Sequence, residues 1–348
     1  MIAQPLEAPI HLRGLSLAAT KQKGGNKIKF VNPNTDNYER NLNYAAALHK
    51  AGVATIKRNE LKGKNAVIIG SGSTLKDPDV MVELLRLKDE GYILFACKQA
   101  IKVLVDAGIT PQYAVTMDPG QHIARPEKIY KAEGTTHIVA SSSDPLLWQY
   151  LLAGMPFGDW IKSLSEEDQK KVLEKDYDNY KSGTYELNDA GVDKAEVLIF
   201  HSATGYENEV KMYNELFDLH DCMGGGYNVV NRALSAAMFM GVDNIVMAGT
   251  DCGWRVDGKF YADDTNNRPG VDMNDGMMVE GTDKNGQKIN NPNAREWFTR
   301  PDMLASGVAL AKLAIKFNGK IKFIGDTLPA KLIEKDDSFL NKCASFHS

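Results

Sequence analysis

A chain of 348 residues, 43% of them hydrophobic, has room for one large domain or two modest ones around a sizeable buried core. Its 41 Lys and Arg nearly balance its 45 Asp and Glu, for a formal net charge of -4, which argues against a polybasic nucleic-acid surface. The four cysteines, Cys97, Cys222, Cys252 and Cys343, stand far apart without a CxxC pair, which argues against a zinc site or a disulfide framework and fits a reducing cytosol.

Residues 1–17 lack a basic region followed by an apolar stretch, so no signal peptide is expected. No apolar run approaches the ~20 residues that span a bilayer, and a cytoplasmic location is expected. Residues 1–60 read as an N-terminal extension. Within them, residues 38–51 (YERNLNYAAALHKA) carry apolar positions at helical spacing.

The core pattern begins with residues 66–69 (AVII), a short apolar run of the kind buried on both faces of a parallel sheet. The turn Gly70-Ser71-Gly72-Ser73-Thr74-Leu75 follows, and Pro78 opens a helix to Lys88. Strands are expected at 92–96, 113–117, 137–140, 196–200, 244–248 and 320–324, and helices at 99–107, 228–240 and 301–317. Strands alternating with helices imply βαβ units. The expected fold is α/β and Rossmann-like: a mostly parallel sheet flanked by helices, in a catalytic domain over 61–330. Residues 145–195, polar and helical, read as a helical insertion or lid, and residues 331–348 as a peripheral tail.

Polar motifs recur where strands end, and in open parallel sheets ligands bind outside those ends. At the glycine turn, Gly70 and Gly72 let the backbone approach a ligand, helix-start N–H groups attract phosphate, and Ser71, Ser73 and Thr74 add hydroxyls. It is neither a Walker A loop nor a full GxGxxG fingerprint. Lys98 and Gln99 follow the second strand, and Asp118-Pro119-Gly120 the third. Gly224, Gly225 and Gly226, with Asn228, precede a helix and offer a second anion-accepting terminus. Asp251, in Gly249-Thr250-Asp251, closes a further strand. Asp118 and Asp251 are the candidate catalytic carboxylates, and the candidate ligands should Mg²⁺ take part. The acidic loop residues Asp263, Asp264, Asp272, Asp275 and Asp283 read as solvated more readily than as metal ligands. His122, close after Asp118, reads as a surface or core histidine more readily than as a catalytic base.

The segments GSGSTL, FACKQA, YAVTMDPG, GGGYNVVN and MGVDNIVMAGTDCGW, in that order, resemble the MptE-like family, which includes the motility-associated Maf glycosyltransferases and the archaeal 6-hydroxymethylpterin diphosphokinases. The family's pattern is a G-x-G-P-S-L turn, a strand ending near D-P, a G-G-S-V helix start and a G-x-D strand end. Here Ser73-Thr74 stand in place of Pro-Ser, and Asn228 in place of the helix-start serine. The resemblance covers roughly residues 64–325. The same order is similar to bacterial lipooligosaccharide sialyltransferases, which use a CMP-sugar. That likeness implies that Gly70 to Leu75, Lys98, Gln99 and Asp118 line a nucleotide-sugar site. Those enzymes place a histidine base shortly before the last helix; this chain has no histidine between His220 and His347, and Glu296 and Asp302 are the carboxylates in that region.

The resemblance implies a nucleotide-sugar-dependent glycosyltransferase acting on a hydroxyl acceptor: a protein, a glycan, a modified DNA base or a pterin. A pyrophosphokinase using ATP and Mg²⁺, like the 6-hydroxymethylpterin diphosphokinases, and a non-catalytic nucleotide-binding protein are the other readings. Apolar faces on outer helices permit a homo-oligomer.

Overall fold

The computed structural model describes residues 35–119, 124, 125, 129–184, 194–202, 209–218, 223, 228–255, 277, 278, 280–282, 288–290, 297–299 and 301–333. In chain order these form α1 (Thr35–Lys50), β1 (Asn65–Ile69), α2 (Pro78–Asp89), β2 (Ile93–Cys97), α3 (Ala100–Asp106), β3 (Tyr113–Thr116) and β4 (Thr136–Ala140). The helices α4 (Pro145–Leu152), α5 (Phe157–Ser163), α6 (Glu166–Leu173) and α7 (Tyr177–Lys181) come next. Then follow β5 (Glu196–Phe200), α8 (Glu209–Phe217), α9 (Val229–Phe239) and β6 (Asn244–Ala248). Short strands β7 (Trp254–Arg255), β8 (Met277–Met278), β9 (Glu280–Thr282), β10 (Lys288–Asn290) and β11 (Trp297–Thr299) precede α10 (Pro301–Lys316), β12 (Ile321–Phe323) and α11 (Leu328–Ile333).

Seven strands form one sheet in the order β12-β6-β1-β2-β3-β4-β5, every neighbouring pair parallel. The chain runs outward from β1 to β5, then crosses back to place β6 on the other side of β1. This reversal opens a crevice at the carboxyl ends of β1 and β6. The strands are almost wholly apolar because helices cover both faces. On one face Ala66, Ile68, Phe95, Val115 and Ile138 pack against Ala233 and Leu234 of α9 and Leu310 of α10. On the other, Val67, Ile69, Leu94 and Ala114 meet α2 and α3 through Leu84, Leu87 and Ile101. Farther along that face Val139, Val197 and Ile199 meet α1, α4, α5 and α8. The α/β, Rossmann-like fold expected from the sequence is the observed one.

Three stretches do more for the core than their sequence position suggests. Helix α1, inside the expected N-terminal extension, buries Tyr38, Leu42, Ala45 and Ala46, and residues 54–56 close the β5 edge through Ile56 N–H to Ile199 O (3.0 Å) and Ile199 N–H to Ala54 O (2.8 Å). The helices of 145–195 bury Trp148, Tyr150, Trp160 and Ile161 in the same cluster, a packed layer. Helix α11 straddles the expected boundary at 330 and buries Leu328 and Leu332, because an apolar pair four apart lies on one helix face.

His137 on β4 is fully buried, and among the described residues neither ring nitrogen has a partner. Burial, with the Lys131 charge nearby, pushes its pKa down from 6.5 to about 3. A histidine depressed in the fold adds stability that is complete above pH 6.5 and is lost as pH falls towards 3. His137→Leu, which removes two unpaired polar atoms, is expected to raise stability at pH 7 by about 1–2 kcal/mol and to flatten the acid limb. Chemical denaturation of both proteins from pH 7 to 4 checks this; parallel pH curves would refute it.

Candidate functional site

The polar motifs that end β1, β2, β3 and β6 converge on one cleft of about 350 Å³, a volume in the range of small-molecule sites. Its lining includes Ser71, Gly72, Lys98, Gln99, Asp118, Asn228, Thr250 and Asp251, with an apolar wall of Met117, Pro119, Val229, Val230 and Met303. A smaller recess of about 230 Å³, between Ala132 and Glu196, lies at the opposite, amino-terminal edge of β4 and β5 and gathers none of these motifs.

The glycine turn and the Gly249-Thr250-Asp251 segment are two halves of one structure. Gly70 N–H donates to Ala248 O and Gly72 N–H to Gly249 O, both at 2.8 Å, carrying the β1–β6 pairing past the strand ends. A Cβ on Gly70 would lie 2.3 Å from the Gly249 carbonyl oxygen, and one on Gly72 would lie 2.4 Å from the Asp251 carboxylate carbon. These glycines are therefore required by the opposite backbone and by Asp251. The sequence had suggested close approach to a ligand; the closest approach is to the protein itself.

Asp251 is 2% exposed and holds the turn from beneath. Its Oδ2 accepts from Thr74 N–H (3.0 Å) and the Ser73 hydroxyl (3.2 Å), and its Oδ1 from the Thr74 hydroxyl. The Thr74 N–H and both hydroxyls, expected to face phosphate, are thus directed at this carboxylate. Residues 73–76 form one turn of 3-10 helix before α2. Burial outweighs the three hydrogen bonds and pushes the Asp251 pKa up to about 6.

Lys98 and Asp118 face each other across the ends of β2 and β3, Nζ to Oδ2 at 2.8 Å, each side chain about one-fifth exposed (21% and 23%). Lys98 adopts φ +47° and Cys252 φ +53°, left-handed conformations uncommon outside glycine. Both residues line the cleft, where such backbone strain tends to collect. Gln99 is the N-cap of α3 and is 9% exposed. Asn228 is the N-cap of α9, its side chain accepting from Asn231 N–H at 3.1 Å, so the first turn of an 11-residue helix opens onto the cleft. Gly224, Gly225 and Gly226, with Gly120, His122, Glu296 and the loop aspartates Asp263, Asp264, Asp272, Asp275 and Asp283, lie outside the described residues, as does the side chain of Asp302.

Sequence reasoning missed Cys252 and Met303 in the lining. Cys252 carried a signal, as the neighbour of Asp251. Met303 carried none: it comes from the first turn of α10, and only tertiary packing delivers it.

The positive end of α9, the Ser71 hydroxyl and the Lys98 ammonium suit an anion, and the methionine–valine wall suits a flat or apolar group. As a Mg²⁺ site the donors fit poorly. Both Asp251 oxygens are engaged, Asp118 is paired with Lys98, and the described residues hold no group of three His, Cys, Asp or Glu with metal-binding geometry.

Comparison with known proteins agrees with the resemblance read from the sequence. Residues 36–152 match the family model described as 6-hydroxymethylpterin diphosphokinase MptE-like. The matched segment runs from α1 to the end of α4 and contains the glycine turn, Lys98, Gln99 and Asp118. A solved MAf glycosyltransferase from Magnetospirillum magneticum AMB-1 is similar at 14% identity and a TM-score of 0.47, over 88% of this chain and 42% of that one. The chain thus spans less than half the length of that protein. No curated protein matches it. No helix among the described residues is long and apolar enough to cross a membrane.

Proposed function

We propose that this chain is a transferase that binds the phosphate of a nucleotide sugar in the cleft and passes the sugar to a hydroxyl acceptor. The observation that carries the reading is the convergence of Ser71, Lys98, Asp118 and the start of α9 at the switch point of a parallel sheet. Lys98 and the α9 terminus would stabilise negative charge growing on the departing phosphate. Asp118, freed from Lys98 when the lysine turns to phosphate, is the carboxylate placed to meet the sugar or the incoming hydroxyl. Asp251 shapes the turn that carries Ser71. Positioning supplies much of such a reaction, since little covalent chemistry falls to the protein.

The family description favours a second reading, diphosphate transfer from ATP to a pterin. That chemistry generally uses Mg²⁺ held by one or two carboxylates and the phosphates; with both Asp251 oxygens engaged by the glycine turn, Asp118 alone is left for a metal, which weighs towards sugar transfer.

Thermal unfolding in the presence of CMP, UDP, GDP, ADP or ATP, each with and without Mg²⁺, separates the two. A ligand at 100 times its Kd adds about 2.7 kcal/mol of stability. We expect stabilisation by a pyrimidine or guanine nucleotide without metal, and loss of most of that gain in Lys98→Ala. Stabilisation only by ATP with Mg²⁺ would reverse the order of the readings. No stabilisation by any nucleotide would sink both.

A further inference from the structure

The polar strand ends do not stop at the cleft. The next two strands, β4 and β5, end in Ser141-Ser142-Ser143 and His201-Ser202, all five residues 6% exposed or less. Burying so many polar side chains costs stability unless they are paired or put to use. Most of this group is paired, and rigidly. Ser141 N–H donates to Phe200 O (2.9 Å) and holds the two strand ends together. His201 Nδ1 lies 3.2 Å from Ser141 Oγ, and Asn41 Nδ2 donates to Ser142 O at 2.8 Å. Tyr213 OH donates to Ser202 O at 3.0 Å, and Arg232 Nη1 donates to Ser202 Oγ. The His201 ring is held against Tyr213 and Phe217, with centroids at 5.4 and 4.3 Å.

Atoms of this fixed frame are left over at the ends of both strands. His201 Nε2 and Ser143 Oγ are buried and have no partner among the described residues. Neither belongs to the cleft lining, and neither has a part in the phosphate chemistry above. A neutral imidazole nitrogen and a serine hydroxyl together can both give and take a hydrogen bond. Their natural complement is a hydroxyl, which also does both.

Position supplies the rest. The cleft ends at β3, and adjacent strands lie about 4.8 Å apart. The ends of β4 and β5 therefore lie about 5 and 10 Å beyond the β3 end of the cleft, along the same carboxyl edge of the sheet. Arg232 stands one helical turn after Asn228, so α9 spans both places: its start lines the cleft and its second turn holds Ser202.

From this we infer that Ser143 and His201 form a second subsite, at the carboxyl ends of β4 and β5, that binds a hydroxyl of a polyol or sugar. The inference rests on the transferase reading for its purpose, as the acceptor side of the same site, but the subsite is testable without that reading.

The direct test uses the full chain, selectively ¹⁵N-labelled at histidine, titrated with free D-galactose. The His201 Nε2 resonance is expected to move with saturation in the wild type and to move much less in Ser143→Ala, a change that removes only an unpartnered hydroxyl. An Nε2 resonance that does not respond to the sugar overturns the subsite. The second arm takes the nucleotide sugar that binds and follows its transfer to galactose and its hydrolysis by water. Ser143→Ala and His201→Gln are expected to leave nucleotide affinity and hydrolysis within about twofold while raising the acceptor KM at least tenfold. Unchanged acceptor KM in both variants also overturns it. Absence of nucleotide binding in the wild type would instead overturn the proposed function, and the resonance titration would still decide the subsite.

Discussion

Replacing Gly70 by alanine is expected to cost about 3–5 kcal/mol of folding stability, at the upper end for a single added methyl group. The new Cβ would stand 2.3 Å from the Gly249 carbonyl oxygen, 3.0 Å from its carbon and 3.2 Å from Val230 Cγ2. The carbonyl cannot swing aside cheaply, because it accepts from Gly72 N–H at 2.8 Å and lies beside the β1–β6 ladder. Relief requires parting the two central strands at the rim of the cleft. Gly134→Ala is the matched control: it has φ +75° and open space around it, so it carries only the left-handed penalty of roughly 1–2 kcal/mol. Urea unfolding of the two variants gives the comparison. A Gly70→Ala cost no larger than that of Gly134→Ala would mean that the turn and the Gly249 segment yield easily, and that they do not form one unit.

That unit shows where sequence reading succeeded and where it stopped. The strands were legible because an all-parallel sheet covered on both faces needs short, continuous apolar runs, and AVII and NIVMA are such runs. The location of the cleft was legible as well. Polar residues after buried strands have few places to go except the carboxyl edge, and four of those ends meet at one cleft. The partners of each polar group were not legible. Nothing local in GSGSTL says that its hydroxyls turn inward to a carboxylate 177 residues away. His201 was passed over although it directly follows the expected strand 196–200; its companions Ser141 and Tyr213 come from other elements, so its strand-end position is all that marks it in the linear sequence. Helix α1 was recognised as a helix, but its role as a core element depends on α4 and α8, which it packs against from distant parts of the chain.

Asp251 is the residue on which a structural and a catalytic reading differ most, and two substitutions separate them. Asp251→Ala leaves the Thr74 N–H and hydroxyl, both in a residue only 2% exposed, and the Ser73 hydroxyl without their acceptor. Each buried orphan costs about 1–3 kcal/mol, partly offset by no longer burying a charge, so a net loss of about 2–4 kcal/mol is expected, with the ligand absent. Asp251→Asn keeps one carbonyl oxygen for the Thr74 N–H and offers its amide to a hydroxyl turned round to accept, so the turn stays closed. It also removes a titration. A carboxyl raised in the fold from 3.8 to about 6 contributes stability that is complete below pH 3.8 and is lost as pH rises through 6, on the order of 3 kcal/mol in all. The asparagine variant is therefore expected to lose that decline between pH 4 and 6, to keep nucleotide binding, and to retain most of its turnover. Denaturation across that pH range and a turnover assay on both variants provide the check. If Asp251→Asn binds nucleotide normally but loses turnover by a thousandfold, Asp251 is a catalytic base after all. A latch needs only an acceptor of the right shape, whereas a base needs the carboxylate itself.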